Sequence, residues 1–324
     1  MPVGLALLAG AIESVVGYPD LLFRWIGHPV TWMARLIAWA DERWNSDNDS
    51  DLMQRLQGVA LLLLLLAASL IVGLLITRLC YFFLPQVAAF VLVALLASAL
   101  IAQRSLDTHV TAVADALESR GLQAGRESVA MIVGRDTKEL DESDVCRAAI
   151  ESLAESFSDG IVGPIFWLAV AGLPGAIAYK AINTADSMIG HKTPQYLHFG
   201  WAAARTDDLV NLPASRLSVL WIALGALWVP DLSPLGALRT AWRDASQHES
   251  PNAGWPEAAM AGALGLTLGG TSAYEGEVVR GPTFGSGRTD IKAKDIRTAL
   301  SLYRAACGFQ LAVLLILTML IWLV

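Results

Sequence analysis

Glu151, Glu155 and Asp159 recur at four-residue steps in "ESLAESFSD". On a helix that spacing puts three carboxylates on one face, with Arg147 one step earlier. Such a row repels itself unless a cation or a basic group sits among the acids. Mg²⁺ suits oxygen-rich sites of this kind, typically through one or two carboxylates plus phosphate oxygens; a solvated helix face has the same pattern. Upstream, "VGRDTKEL" carries Arg135, Asp136, Thr137 and Lys138, a loop able to hold a phosphate by charge and hydrogen bonds, although a plain surface loop reads alike. Downstream, "NTADSMIGHK" sets Asn183, Asp186 and Ser187 at steps of three and four, with Lys180 just before. "ARTDDLVN" sets Asp207 four residues before Asn211, and Arg205 three before Asp208. Ionisable groups beside membrane-type sequence are functional candidates by default, against the plainer reading of helix caps at an interface.

His28 precedes a proline in "GHPVTW", which biases it out of α geometry and toward a sharp helix entry. A lone histidine is more often a hydrogen-bonded structural residue than a ligand. His191, His198 and His248 have no zinc-type spacing. Glu257 opens the helix expected in "SPNAGWPEAAMAGALGLTLGG", a favourable place for an acid. The chain lacks GxxxxGK[ST], a strand followed by GxGxxG, GxSxG and HExxH, so the usual nucleotide and hydrolase signatures are absent.

The elements that must position these residues are dictated by hydropathy. Of 324 residues, 55% are hydrophobic and only 16% charged, where soluble domains are nearer a quarter charged. The pattern predicts one all-α polytopic membrane domain over 1–324, with four to six transmembrane or re-entrant helices and large helical cytoplasmic loops. Spans are expected near 57–78, 83–102, 161–182, 213–229 and 305–324, since about 20 apolar residues cross a bilayer. Arg216 near one end of 213–229 can snorkel. Residues 3–18 are short and contain Glu13, which fits an imperfect or interfacial span; they lack the basic n-region of a signal peptide. Polar loops are expected at 18–56, 103–160, 183–212 and 230–304. The net charge of −7 gives no reason to expect nucleic acid, and Cys80, Cys146 and Cys307 show no CxxC spacing.

Only "LCYF" (79–82) separates the first two strong spans, so they form a tight hairpin and loops 18–56 and 103–160 share a side. Those loops carry four and six Lys/Arg, against Arg78 alone near the hairpin tip, which puts both in the cytoplasm. Within 103–160, Leu106, Val110, Val113, Ala114 and Leu117 predict a helix over 103–125. A second helix is predicted over 141–160, capped by Asp141 or Ser143 and stopped by Gly160. The segment 161–182 contains Gly163, Pro164, Gly172, Pro174 and Gly175. It reads as a broken helix or, preferably, as re-entrant, because irregular backbone at membrane depth must be buried in protein or line a cavity. Either form lets the polar flanks at 135–159 and 183–211 serve one site.

Seven ordered motifs, "GHPVTWMARLI", "VGRDTKEL", "ESLAESFSDGIVGP", "AYKAINTADSMIGHK", "AARTDDLVN", "WRDASQHESPNAGWPEAAMAGALGLTLGG" and "YEGE", together resemble the adenosylcobinamide-phosphate synthases of cobalamin biosynthesis (the CobD/CbiB type). The resemblance covers about residues 5–304. It implies an inner-membrane enzyme, with its site facing the cytoplasm, that uses ATP and Mg²⁺. Its reaction joins the f-side propionate of adenosylcobyric acid to (R)-1-amino-2-propanol or its O-phosphate.

Against that chemistry Glu151, Glu155, Asp159 and Asp186 are expected on the Mg²⁺ and phosphate side. Arg135, Lys138, Lys180 and Arg205 would neutralise phosphates and carboxylates, and Asp207 or Asp208 would accept the amine proton. Asn183 and Asn211 would orient substrate amides, with His28 and Ser187 also on the substrate side and Glu155 counted among the catalytic groups. The expected partners are the corrinoid, the amino alcohol and membrane lipid. A homo-oligomer or a complex with other enzymes of the pathway stays open. The family usually has Asn where this chain has Ser156, which puts one substrate contact in doubt, and tends to Asp where Glu13 stands. The rival readings are a transporter of a corrinoid or small anion, which would often betray an internal repeat not found here, and a non-catalytic membrane scaffold for the pathway.

Overall fold

The computed structural model describes residues 2–18, 24–25, 27–274 and 277–323; Glu275 and Gly276 of "YEGE" lie outside the described residues. The chain divides into two compact units interleaved in sequence. The first comprises Met1–Ala102, Gly163–Asn211 and Leu314–Val324, and the second Gln103–Val162 and Leu212–Val313. Among the described residues, four helical runs are long and apolar enough to cross a membrane: 51–83, 86–120, 142–189 and 293–323. The chain is an all-α membrane protein with one small β-ribbon.

The first unit begins with α1 (Pro2–Val16), which buries Ala6, Ala9 and Glu13. Helix α2 (Pro29–Trp44) starts at a capping box in which His28 Nδ1 accepts from Val30 N and Thr31 Oγ1 accepts from His28 N. Pro29 suits the first helical position, where its missing N–H has no partner to lose. Helix α3 (Asp51–Phe83) is capped by Ser50, whose Oγ accepts from Met53 N at 3.3 Å. It is longer than the expected 57–78 because its polar first turns are tied down: Gln54 donates to Ser46 O and Gln57 to Asp49. Leu63, Leu70, Ile71, Leu74 and Leu75 stay exposed on α3, the surface a lipid-facing helix presents. Helix α4 (Gln86–Ser98) follows Pro85 and ends short of 102, where Leu100 N and Ile101 N bond three residues back.

In the second unit, the helix expected over 103–125 is two, α5 (Gln103–Arg120) and α6 (Leu122–Val129). They are split by Gly121 at φ 82°, a left-handed turn open to glycine. Helix α7 (Glu142–Phe157) is capped by Asp141, whose carboxylate accepts from Asp144 N at 2.8 Å. Ser143 instead donates to Thr289 O and accepts from Ile291 N. Gly160 does not stop the helix: residues 158–162 form a π turn that leads directly into the next helical segment.

That segment, α8 (Gly163–Ile189), belongs to the first unit and is not straight. Gly172 takes φ 65°, ψ −161°, and Pro174 follows. Along a continuous helix Gly163 and Tyr179 would stand about 24 Å apart, yet a Cβ at Gly163 would collide with the Tyr179 hydroxyl. The chain therefore reverses at Gly172 into a helical hairpin. Helix α9 (Trp201–Val210) packs on its second arm and on α3. Trp167 Nε1 on the first arm donates to Val210 O at 3.0 Å. Two glycines let α3 approach: Gly58 lies against the Phe199 carbonyl, and a Cβ at Gly73 would come within 2.6 Å of Pro174 Cα.

The second unit resumes with α10 (Leu212–Gly225), whose 14 residues fall short of the expected span at 213–229. Arg216 does not snorkel away from it. Its guanidinium bonds Asn252 Oδ1 at 2.9 Å and lies over the Trp255 ring. Helices α11 (Pro234–Asp244) and α12 (Gly254–Leu264) pack closely where Gly236 meets Gly262. An antiparallel ribbon, β1 (Leu268–Tyr274) and β2 (Glu277–Phe284), follows with a bulge between Gly269 and Thr271. The long helix α13 (Ala293–Leu323) closes the chain.

The close approach of α3 predicts opposite effects for two glycine substitutions. Gly58→Ala drives a methyl into a backbone carbonyl and is expected to destabilise by about 1–3 kcal/mol. Gly308→Ala meets nothing within 4 Å and sits mid-helix, so it is expected to stabilise by about 0.5–1 kcal/mol. Thermal unfolding in detergent checks both; equal shifts would mean that the α3 contact is slack.

Candidate active site

Each unit assembles one polar cluster. In the first, the second arm of α8 and helix α9 face each other across Asp207. Its carboxylate accepts from Asn211 Nδ2 at 2.8 Å on one oxygen and from Asn183 Nδ2 at 3.5 Å on the other. Asn211 is fixed in turn by the buried Tyr179 hydroxyl, which donates to its Oδ1 at 2.7 Å. The ionised carboxylate of Asp207 only accepts, so the Asn211 nitrogen faces it and the amide oxygen is left for Tyr179. Lys180 Nζ reaches Asn183 Oδ1 at 3.5 Å.

Asp207 is 8% exposed, and burial pushes its carboxyl up to about 7, helped by the negative charges of Asp186 and Asp208. The two amide donors pull the other way and only partly offset the desolvation. Asp208 is also raised by burial, opposed by Arg205 and Lys192. His28 belongs to the same electrostatic neighbourhood: burial and then the Lys180 charge hold its imidazole below the usual range. It also makes an edge-on contact with Tyr18 at 4.6 Å.

In the second unit the pivot is Glu151, 7% exposed on α7. One carboxylate oxygen pairs with Arg135 from the loop before α7, and the other accepts from Gly269 N at 2.6 Å. The loop is anchored by Arg126, which donates to Leu140 O, and by Ser152, which donates to Ile132 O. Glu257 on α12 is buried beside this group. Desolvation first, then the charges of Glu151 and Glu155, raise its carboxyl well above the usual range, against the opposing pull of Arg135. His248 Nε2 lies 3.9 Å from Glu257 Oε1, while its Nδ1 accepts from Ser250 N at 2.9 Å. The accepting Nδ1 leaves the ring proton on Nε2, facing Glu257.

The structure thus gathers Lys180, Asn183, Asp207 and Asn211 in the first unit, with Asp186, Asp208 and His28 in electrostatic reach, and Arg135 with Glu151 in the second. Among the other expected residues, Glu155 adds its charge to the neighbourhood of Glu257. Ser187 turns back to Asn183 O, and Arg205 is largely exposed, 3.6 Å from Asp208. Lys138 and Glu155 are exposed, and Asp159 is half-buried in the π turn. Arg147 pairs with Asp144, one turn back, rather than with the acid row. No role for Tyr179 or the Gly269 amide follows from the sequence, where His248 reads only as a histidine without zinc-type spacing and Glu257 only as a helix-start acid. Tyr179 is hidden in an apolar run, and the amide depends on a strand with no clear period.

The donor sets bear directly on Mg²⁺. Among the described residues, no three His, Cys, Asp or Glu side chains converge as a metal site. Glu151 has both oxygens committed to Arg135 and Gly269, so it is a poor ligand. The residues do not fit a cage of protein ligands alone. Glu155 on α7 and Asp159 in the π turn are the other two expected carboxylates of this unit.

The raised carboxyl of Asp207 has a stability consequence. Between its ordinary 3.8 and about 7 the folded state holds a proton that the unfolded state has lost. Stability contributed at this residue is therefore full below about 4, falls as pH rises to about 7, and is flat above. Asp207→Asn removes that slope. The melting temperature of the variant relative to the parent should climb from pH 4 to pH 7 and then level off. A difference independent of pH would mean that Asp207 ionises normally.

The CobD/Cbib protein family matches residues 6–303. A cobalamin biosynthesis protein CobD of Sinorhizobium fredii is 51% identical over 93% of this chain and 92% of its own. A CobD from a Sinorhizobium species is 51% identical over 95% and 97%, and that of Rhodobacter capsulatus 46% over 93% of each. No solved structure matches. With a family match over nearly the whole chain and relatives at about half identity, the chain belongs to the CobD/Cbib family.

Proposed function

We propose that this protein acts in cobalamin biosynthesis as the ligase that joins adenosylcobyric acid, through its f-side propionate, to aminopropanol or its O-phosphate. The observation that carries the reading is Asp207. It is a buried carboxylate aimed by two amides, with a carboxyl near 7, where a general base for an amine is most effective. A corrin bears amide side chains, and Asn183 and Asn211, the amides that hold Asp207, are proposed to orient them.

A carboxylate resists attack by an amine at neutral pH. ATP converts it to an acyl phosphate, releasing ADP. The amine then attacks the acyl carbon, phosphate leaves, and the ammonium proton passes to Asp207, with Asp208 the neighbouring alternative. Lys180 and Arg205 would neutralise substrate anions in the first unit, alongside His28 and Ser187. Arg135 and Lys138 would do so for phosphates in the second, with Glu151 holding Arg135 in place. Mg²⁺, when bound with the nucleotide, would supply charge neutralisation, held by Glu155 and Asp159; the same role is proposed for Asp186 in its own unit. The site is proposed to face the cytoplasm.

Purified protein in detergent, given adenosylcobyric acid, aminopropanol phosphate, ATP and Mg²⁺, is expected to yield the amide by mass spectrometry. Omitting ATP or Mg²⁺ should abolish it. Product absent while the corrinoid still binds would favour a carrier or scaffold. Asp207→Asn is expected to lower turnover by about 10²-fold or more in protein that remains folded. Glu155→Ala and Asp186→Ala should each abolish product, and near-normal turnover in both would remove the metal assignment.

A further inference from the structure

Helix α11 is built inside out. Its inward face is small: Ala237, Thr240 and Ala241 are buried, and Gly236 sits against the Gly262 carbonyl of α12. Its large apolar residues point outward. Leu235, Leu238 and Trp242, at steps of three and four, form one exposed stripe. Just before the helix, Leu227 and Trp228 are exposed as well. Trp228 is 77% and Trp242 83% exposed, values that water would penalise on rings of this size. A helix made for water would put its leucines inward and its alanines wherever they fell. Small residues inward and large ones outward is the packing of helices that touch lipid.

The charges select the depth. Residues 234–243 contain no acid, and the exposed side carries Arg239 and Arg243. Arg243 is paired with the buried Asp244, leaving Arg239 as the cation most available to a phosphate. Eleven residues are too few to span. A short helix with a Leu/Trp stripe and flanking arginine belongs at the boundary of headgroups and acyl chains.

We propose that α11, with Leu227 and Trp228 before it, lies in the membrane interface, its Leu235–Leu238–Trp242 stripe in the acyl boundary and Arg239 at the lipid phosphates. The segment is thus an interfacial anchor of the second unit, where hydropathy alone reads an aqueous loop. The reading is independent of the ligase chemistry.

The test uses the full chain, with its three cysteines replaced by serine or alanine, in nanodiscs of phosphatidylcholine and phosphatidylglycerol. Spin labels are placed at Leu238→Cys, Trp242→Cys and, as an exposed polar control, Ser246→Cys. Collision with oxygen, which concentrates in lipid, is expected to exceed collision with a water-soluble nickel chelate at 238 and 242. The order should reverse at 246. Nickel access at all three would overturn the proposal in favour of an aqueous surface. Labels immobilised and shielded from both reagents would overturn it in favour of a protein contact. Should the cysteine variants fail to fold, Trp242→Phe in the native background serves. Brominated lipid should quench less of the total fluorescence in this variant than in the parent, and equal fractional quenching would refute the anchor.

Discussion

The first unit depends on one reversal of the backbone. At Gly172 the chain adopts a conformation that residues with a Cβ rarely tolerate, and α8 folds back on itself. Only then can Gly163 pack against Tyr179, whose hydroxyl bonds Asn211 on α9. The hydroxyl fixes the amide, the amide fixes one oxygen of Asp207, and Asn183 from the same arm takes the other. A straight helix would separate Gly163 from Tyr179 by more than four turns and take Trp167 away from Val210. The wall behind the cluster is therefore set by a glycine with no functional group.

The second unit handles buried charge by a different route. Glu151 is compensated twice, by a guanidinium and by a backbone amide. Glu257 is equally little exposed, and burial with the charges of Glu151 and Glu155 raises its carboxyl well above the usual range. Two carboxylates of equal exposure in one neighbourhood thus differ in the partners that offset their burial.

Much of this was legible in the sequence, and the rest was hidden for identifiable reasons. The apolar run of α3, the cap at Asp141 and the polar steps of Asn183, Asp207 and Asn211 follow from local periodicity, and the structure places them accordingly. The ends of α3 and α4 did not follow, because side-chain bonds at Gln54 and Gln57 extend one and tight turns shorten the other. Gly160 looked like a stop, but a π turn carries the helix through it. Arg147 stood in register with the acid row and chose Asp144, a nearer partner. The roles of Glu257 and His248 rest on contacts with α7, more than ninety residues away in sequence, which no local window contains.

The length of α3 also has a consequence for the lipid around it. Its uninterrupted apolar run, residues 58–77, ends at Arg78 and is about 30 Å long as a helix, the thickness of a hydrocarbon layer. It is held by protein at two heights, where Gly58 meets Phe199 and Gly73 meets Pro174, so its slant against the α8 hairpin is fixed by protein contacts. Lipid of another thickness therefore meets α3 and the hairpin as one braced pair.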